Sequence, residues 1–248
     1  MKKILVLLAV LLSSCVTNIY TKPPKNFEPL EYRSVAILYI QDTSNNAVLA
    51  TGFAYDENHI ITAGHFCISA LKIQIFDSHK QSIMMRYYNH KMKVKDKGIL
   101  VVKELSDTED ICVLEKENHG LLPLMLIDDY NKIKIGDAVS IVGSPSGTAM
   151  GKFYGNVMST VYNGFGPNII KNKLLVNAAS TSGISGSPII HSETGKVIGM
   201  VVMGHNAFDH LTFGVTGQQI NNFVKDLRWN NFLVFWVLSI EKYYSNKI

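Results

Sequence analysis

Short apolar or alternating runs, broken every few residues by Gly, Pro, Asn, Asp or Ser, fill almost all of this chain. That pattern constrains the fold most. A period of two puts successive side chains on opposite faces of a strand, whereas a helix needs apolar residues three and four apart. The candidate strands are residues 34–41, 47–55, 59–62, 71–76, 83–88, 99–104 and 111–114. After a turn-rich break at 128–136 come 138–143, 151–162, 173–177, 187–191, 197–203 and 211–215. Two sets of about six short strands, joined by turns such as Ser192-Glu193-Thr194-Gly195-Lys196, suit closed antiparallel sheets. The expected fold is all-β: two packed six-stranded antiparallel β-barrels, about 34–130 and 131–216, with a C-terminal helix. That helix is expected from Gly217, where Ile220, Phe223, Val224 and Leu227 recur at helical spacing. It is the one convincing helix, and no internal repeat is visible.

Both ends of the chain read differently from the middle. Lys2 and Lys3 precede a short apolar stretch, Ile4 to Leu12, as in a cleavable export signal. The stretch is too short to span a bilayer, which takes about 20 residues. Leu12-Ser13-Ser14-Cys15 follows and resembles the bacterial lipobox, which implies cleavage before Cys15 and lipid on that cysteine. Residues 1–14 are therefore expected to be a lipoprotein signal, and 15–33, with Pro23, Pro24 and Pro29, a tether. At the other end, Trp229, Phe232, Leu233, Trp236 and Ile240 share one face of a helix within a 229–248 tail. That tail reads as a helix packed on the second barrel, with an interfacial segment at headgroup depth as the alternative.

Composition excludes some function classes. The formal charge is +4, and removing Lys2 and Lys3 takes Lys plus Arg from 24 to 22 against 20 acids. No Arg/Lys stripe is clustered for nucleic acid, and the four lysines of residues 91–97 read as a solvated hairpin. Cys67 and Cys112 sit in apolar settings and are read as two buried thiols rather than a bridge. Neither has metal-site spacing, so no metal is expected.

Three local settings carry chemistry. They are Thr62-Ala63-Gly64-His65, Asp110-Ile111-Cys112-Val113-Leu114 and Gly183-Ile184-Ser185-Gly186-Ser187-Pro188. A serine hydroxyl is a weak nucleophile near neutral pH, so a base must take its proton as it attacks. Histidine titrates in the right range, and a carboxylate fixes its tautomer and stabilises the imidazolium. His65, Asp110 and Ser185 supply these three groups, although Asp107, Glu109, Asp128 and Asp129 are alternatives for the carboxylate. Asp110 alone immediately precedes a continuous apolar run, which puts it at the mouth of a buried strand. Gly183 can turn its N–H inward, so the N–H groups of Gly183 and Ser185 are candidates for an oxyanion site. Gly143-Ser144-Pro145-Ser146-Gly147 lacks the lysine and helix of a phosphate loop and reads as a connection between strands.

On these motifs the chain resembles trypsin-like serine peptidases of the chymotrypsin fold, in the bacterial HtrA-like and glutamyl-endopeptidase-like branch. Residues 176–188 resemble the family's nucleophile loop, Thr62 to His65 its histidine motif, Asp110 to Leu114 its aspartate motif, and residues 198–202 its cleft-lining strand. The likeness covers roughly 34–228. Ser187 stands where the family often has a second glycine, and no segment of PDZ length follows. The resemblance implies a serine endopeptidase acting on protein or peptide substrates with no cofactor. It implies catalytic His65, Asp110 and Ser185, and a substrate pocket at Ala179, Ser180, Met203 and Thr212. With lipid on Cys15, the expected location is the bacterial cell envelope, anchored to a membrane. The alternative is a catalytically silent binding or chaperone-like lipoprotein of the same fold.

Overall fold

The structure, a computed structural model, describes residues 30–44, 46–76, 82–88, 94–163, 173–205 and 208–225. The export signal, Cys15, most of the tether, Leu227 and the 229–248 tail lie outside the described residues.

Among the described residues, twelve strands form two closed antiparallel barrels. The first contains β1 (Val35–Gln41), β2 (Ala47–Ala54), β3 (His59–Ala63), β4 (Ile83–Tyr88), β5 (Val94–Ser106) and β6 (Ile111–Glu115). Their order is β1-β2-β3-β6-β5-β4, closed where Ala36 faces Tyr87. The second contains β7 (Ala138–Gly143), β8 (Gly151–Tyr162), β9 (Lys173–Val176), β10 (Pro188–His191), β11 (Val197–His205) and β12 (Phe208–Thr216). Their order is β10-β11-β12-β9-β8-β7, closed where Ile189 faces Ile141.

The continuous apolar runs have a physical reason. Several strands bury both faces, one inside a barrel and one in the seam between barrels. On β1, Ala36, Leu38 and Ile40 fill the first barrel while Val35 and Ile37 face the seam. On β6, Cys112 and Leu114 point in while Ile111 and Val113 point to the seam. Ile189 and Ile190 divide the same way on β10. Burying each such aliphatic side chain contributes about 1.5–3 kcal/mol before entropy is counted.

Two α-helices stand among the described residues. α1 (Gly64–Phe76) follows β3, and α2 (residues 217–225) follows β12. α2 starts where expected. Thr216 Oγ1 accepts from Gln219 N–H at 3.2 Å, and Gln219 Oε1 accepts from Thr216 N–H at 3.0 Å. This reciprocal pair satisfies two helix-start donors. Ile220 and Val224 then enter the seam core.

α1 corrects the sequence reading. Residues 71–76, expected as a strand, are its C-terminal half. The alternation of Leu71, Ile73 and Ile75 mimics a strand, but Ile75 is exposed. The stronger signal lies upstream: Phe66, Cys67 and Ala70 are buried at helical spacing against the first barrel, with Ile73 packed beside them. Without that run, the first set of strands has the six that close a barrel.

Candidate active site

The turn from β3 into α1 carries His65, and the residue just before β6 is Asp110. Gly64 allows the two to meet, because a Cβ there would lie 3.0 Å from the Asp110 carbonyl carbon and from Ile111 N. Asp110 Oδ1 accepts the His65 backbone N–H at 2.7 Å, and His65 Nδ1 lies 3.0 Å from Oδ2 and 3.2 Å from Oδ1. The carboxylate thus caps the start of α1 and orients the ring together. With Nδ1–H donating to a carboxylate, Nε2 is left as the basic nitrogen. Asp110 holds φ 59, an uncommon conformation for a residue with a side chain.

The electrostatics favour an ionised Asp110. Burial pushes its carboxyl up, but the hydrogen bonds and charge of His65, with Lys173 nearby, hold it below the usual carboxylate range. Lys173 is itself pushed down by burial, against the pull of Asp110 and Glu109. Its Nζ donates to the Glu109 carbonyl at 3.1 Å. Gln219 Nε2 on α2 donates to the Glu109 carboxylate. Neither contact has a signal in the local sequence.

The cysteines are a correction. Cys67 and Cys112 form a disulfide. Each stands two residues beyond His65 or Asp110, so the bond ties α1 to β6 just behind the pair. A separation of 45 residues gives no pairing signal in a single sequence, and both sulfurs look like ordinary core atoms there.

The second barrel supplies the facing loop. Gly186, at φ +85, lies so close to the first barrel that a Cβ would sit 2.0 Å from Thr51 O and 3.0 Å from Ala63 N. No side chain fits that approach, which sets Gly186, the residue after Ser185, against Thr62 and Ala63 at the end of β3. Ser187 N–H donates to Ile184 O at 2.9 Å, folding the loop tightly around Ser185. Ser185 is partly exposed, and among the described residues its hydroxyl makes no hydrogen bond to His65. Such bonds are often long before substrate arrives.

Gly183, at φ +89, is buried. Among the described residues, neither the Gly183 N–H nor the Ser185 N–H meets a protein acceptor. Unpaired backbone donors are uncommon in folded proteins, and two so close together suit an incoming oxygen. Ser187 Oγ is also buried without a partner and fills the space a Cβ at Gly143 would take, 2.0 Å from that position.

The expected pocket residues are partly gathered. Ser180 packs onto Gly204, beside the exposed Met203. Ala179 is exposed. Thr212 is fully buried on β12, its hydroxyl donating to Ala178 O at 2.7 Å, so it shapes the wall from behind. Gly143 to Gly147 forms a connection, with a short 3-10 turn at Pro145–Gly147. Among the described residues, no group of three or more His, Cys, Asp and Glu side chains could hold a metal ion.

Residues 50–200 match the family described as a trypsin-like peptidase domain. A probable periplasmic serine endoprotease, DegP-like, from Rickettsia conorii is 26% identical over 167 residues, 65% of this chain and 29% of that protein. The chain therefore spans less than a third of that relative's length. Among solved structures, Deg5 is similar at a TM-score of 0.63 and 22% identity, over 77% of this chain and 87% of that one. The HtrA-type protease AlgW, solved with a tripeptide, gives 0.62 at 18% identity, over 79% and 60%. The active form of the Rv3671c protease from M. tuberculosis gives 0.62 at 16% identity, over 84% and 92%. At these identities the structural likenesses speak for the fold.

Proposed function

Because the chain belongs to the trypsin-like peptidase family, we propose that it is a serine endopeptidase working through His65, Asp110 and Ser185. Ser185 Oγ attacks the scissile carbonyl carbon while His65 Nε2 takes its proton. The oxygen, now negative, is held by the Gly183 and Ser185 N–H groups. The tetrahedral adduct collapses, the C–N bond breaks, and His65 returns the proton to the leaving amine. Water, activated by His65, then releases the acyl group from Ser185. Asp110 keeps Nδ1 protonated throughout and stabilises the imidazolium. The observation that carries this reading is the His65–Asp110 contact at 3.0 Å, which leaves Nε2 as the base beside the Ser185 loop.

The pocket reading rests on Ala179, Ser180 and Met203, with Thr212 behind. None carries a charge to pair with Arg or Lys, so small or medium apolar residues before the scissile bond are favoured. The periplasmic relative supports a place in the bacterial envelope. The Leu12-Ser13-Ser14-Cys15 motif supports lipid on Cys15 and a membrane-anchored domain.

The test is labelling with a fluorophosphonate probe, together with hydrolysis of denatured casein, by wild type and Ser185→Ala. Labelling and cleavage by wild type, both lost in a folded Ser185→Ala, are expected. Hydrolysis retained by Ser185→Ala sinks the mechanism. Preferential cleavage after Arg or Lys overturns the pocket reading alone.

A further inference from the structure

We propose that the Thr51 hydroxyl is a positioning residue for the oxyanion site, reaching from the first barrel to fix the backbone of the second. This rests on the reading that Gly183 and Ser185 N–H groups receive the oxyanion. The sequence marks Thr51 only as a strand residue between Ala50 and Gly52.

Gly183 occupies a left-handed backbone conformation. Its φ of +89 is open to glycine, and a Cβ there would lie 2.6 Å from Ser144 O and 2.8 Å from Ser146 N. The freedom that lets glycine adopt this conformation also lets its flanking peptides rotate. A donor that rotates is not preorganised, and preorganisation is what makes an oxyanion site effective. Something outside the loop has to hold those peptides.

The restraints are on both sides of the donor. The Ser182 carbonyl, trans to the Gly183 N–H in the same peptide plane, accepts from Ser146 N–H at 2.7 Å. The Gly183 carbonyl accepts from Thr51 Oγ1 at 2.9 Å. The Ser185 carbonyl accepts from Thr51 N–H at 2.8 Å. The Thr51 hydroxyl in turn accepts from Ser144 N–H at 3.1 Å, which locks the 144–147 turn to the same point. Thr51 is fully buried, and its own carbonyl accepts from Thr62 Oγ1 at 2.7 Å, two residues before Gly64. One hydroxyl therefore both donates to the oxyanion loop and accepts from the turn that braces it. Replacing it with a methyl group of similar size leaves the Gly183 carbonyl and the Ser144 N–H buried without partners.

The test compares Thr51→Val and Thr51→Ser with wild type on an alanine-terminated peptide p-nitroanilide and with a peptide aldehyde, whose adduct oxygen occupies the oxyanion site. Removing one oxyanion donor outright typically lowers kcat by about 10²–10³-fold, so losing its restraint in Thr51→Val is expected to lower kcat by about 10–100-fold. KM stays within about twofold, and aldehyde affinity weakens in parallel with kcat. Thr51→Ser, which keeps the hydroxyl, restores both. If Thr51→Val does not accumulate folded, Thr51→Ser against Thr51→Ala reads the hydroxyl alone, since both lack the methyl group. Unchanged kcat in Thr51→Val, equal losses in the serine and valine or alanine variants, or a rise confined to KM overturns the proposal. Ser185→Ala, measured alongside, separates the two failures. If it is inactive while Thr51→Val is normal, only the Thr51 role falls. If it is active, the catalytic reading falls and the Thr51 role with it.

Discussion

Lys173 Nζ, at the first residue of β9, donates to the Glu109 carbonyl at 3.1 Å and so sets a second-barrel cation beside the first-barrel carboxylate at Asp110. The charged groups acting on Asp110 are His65 and Lys173, while Glu109 faces Lys173 from the adjoining residue. Removing this cation in Lys173→Met takes away one of the charges that hold the Asp110 carboxyl below its usual range, so Asp110 is expected to bind a proton at higher pH. The acid limb of the kcat/KM profile is therefore expected to move upward in pH, with the limiting rate reduced less than the profile shifts. A profile identical to wild type shows that Lys173 serves packing alone.

Asp110→Asn probes the same pair differently. The amide oxygen can still accept the His65 backbone N–H, so α1 keeps its cap. Its NH₂ group, however, donates to Nδ1 and drives the proton to Nε2, leaving no base for Ser185. A loss of about 10⁴-fold in kcat with near-normal stability is expected. Steady-state rates together with a thermal melt decide it; a loss explained by unfolding removes Asp110 from the catalytic reading.

The bond between Cys67 and Cys112 closes a loop of 45 residues. On the chain-entropy account, a loop that long is worth about 4 kcal/mol. The Cys67→Ala/Cys112→Ala variant is expected to melt well below wild type, and reductant should lower the wild-type melting temperature towards it. Equal melting temperatures with and without reductant refute the bond's contribution.

His119 is fully buried, with Nε2 2.8 Å from Asp56 O and Nδ1 accepting from Leu121 N–H at 3.1 Å. Acceptance at Nδ1 requires the neutral ring, with the remaining proton on Nε2 donated to the Asp56 carbonyl. Burial lowers its pKa, opposed by the Asp56 carbonyl and carboxylate and helped by Lys97. A folded value below the unfolded one means the unfolded chain binds the proton more readily. The stabilisation is complete above about pH 6.5 and is lost as pH falls below it, down to the depressed folded value. Urea midpoints at pH 8 and pH 5 are expected to differ more in wild type than in His119→Gln. The same pH dependence in both assigns the acid sensitivity elsewhere.

Much of this was legible from the chain, and the exceptions share a cause. The two barrels follow from short strand-length runs, alternating or wholly apolar, that each strand carries locally, and α2 carries its own cap at Thr216 and its stripe at Ile220 and Val224. Residues 71–76 misled because Leu71, Ile73 and Ile75 alternate as in a strand, while the helix is fixed from its other end by Phe66, Cys67 and the Asp110 cap. The His65 and Asp110 motifs announced themselves by local context. Thr51 and Lys173 did not, since their roles depend on a strand of one barrel lying beside a loop or turn of the other. The disulfide is the same kind of fact, a tertiary neighbour that no local window contains.

Each sheet hydrogen-bonds to itself all the way round, so neither half needs the other to complete its ladder. His65 and Asp110 stand on one half and Ser185 on the other, joined across an apolar seam, the bonds to Thr51, and those of Lys173 and Gln219 to Glu109. On the proposed mechanism, reactivity is thus a property of registry between two self-sufficient bodies. By that same mechanism, a slight parting would stop hydrolysis while both ladders persist, so in a mild denaturant titration peptide hydrolysis is expected to vanish before the far-ultraviolet β-signal does. Such a parted state would cost the apolar seam and the bonds of Thr51, Lys173 and Gln219 across it, and leave both ladders intact.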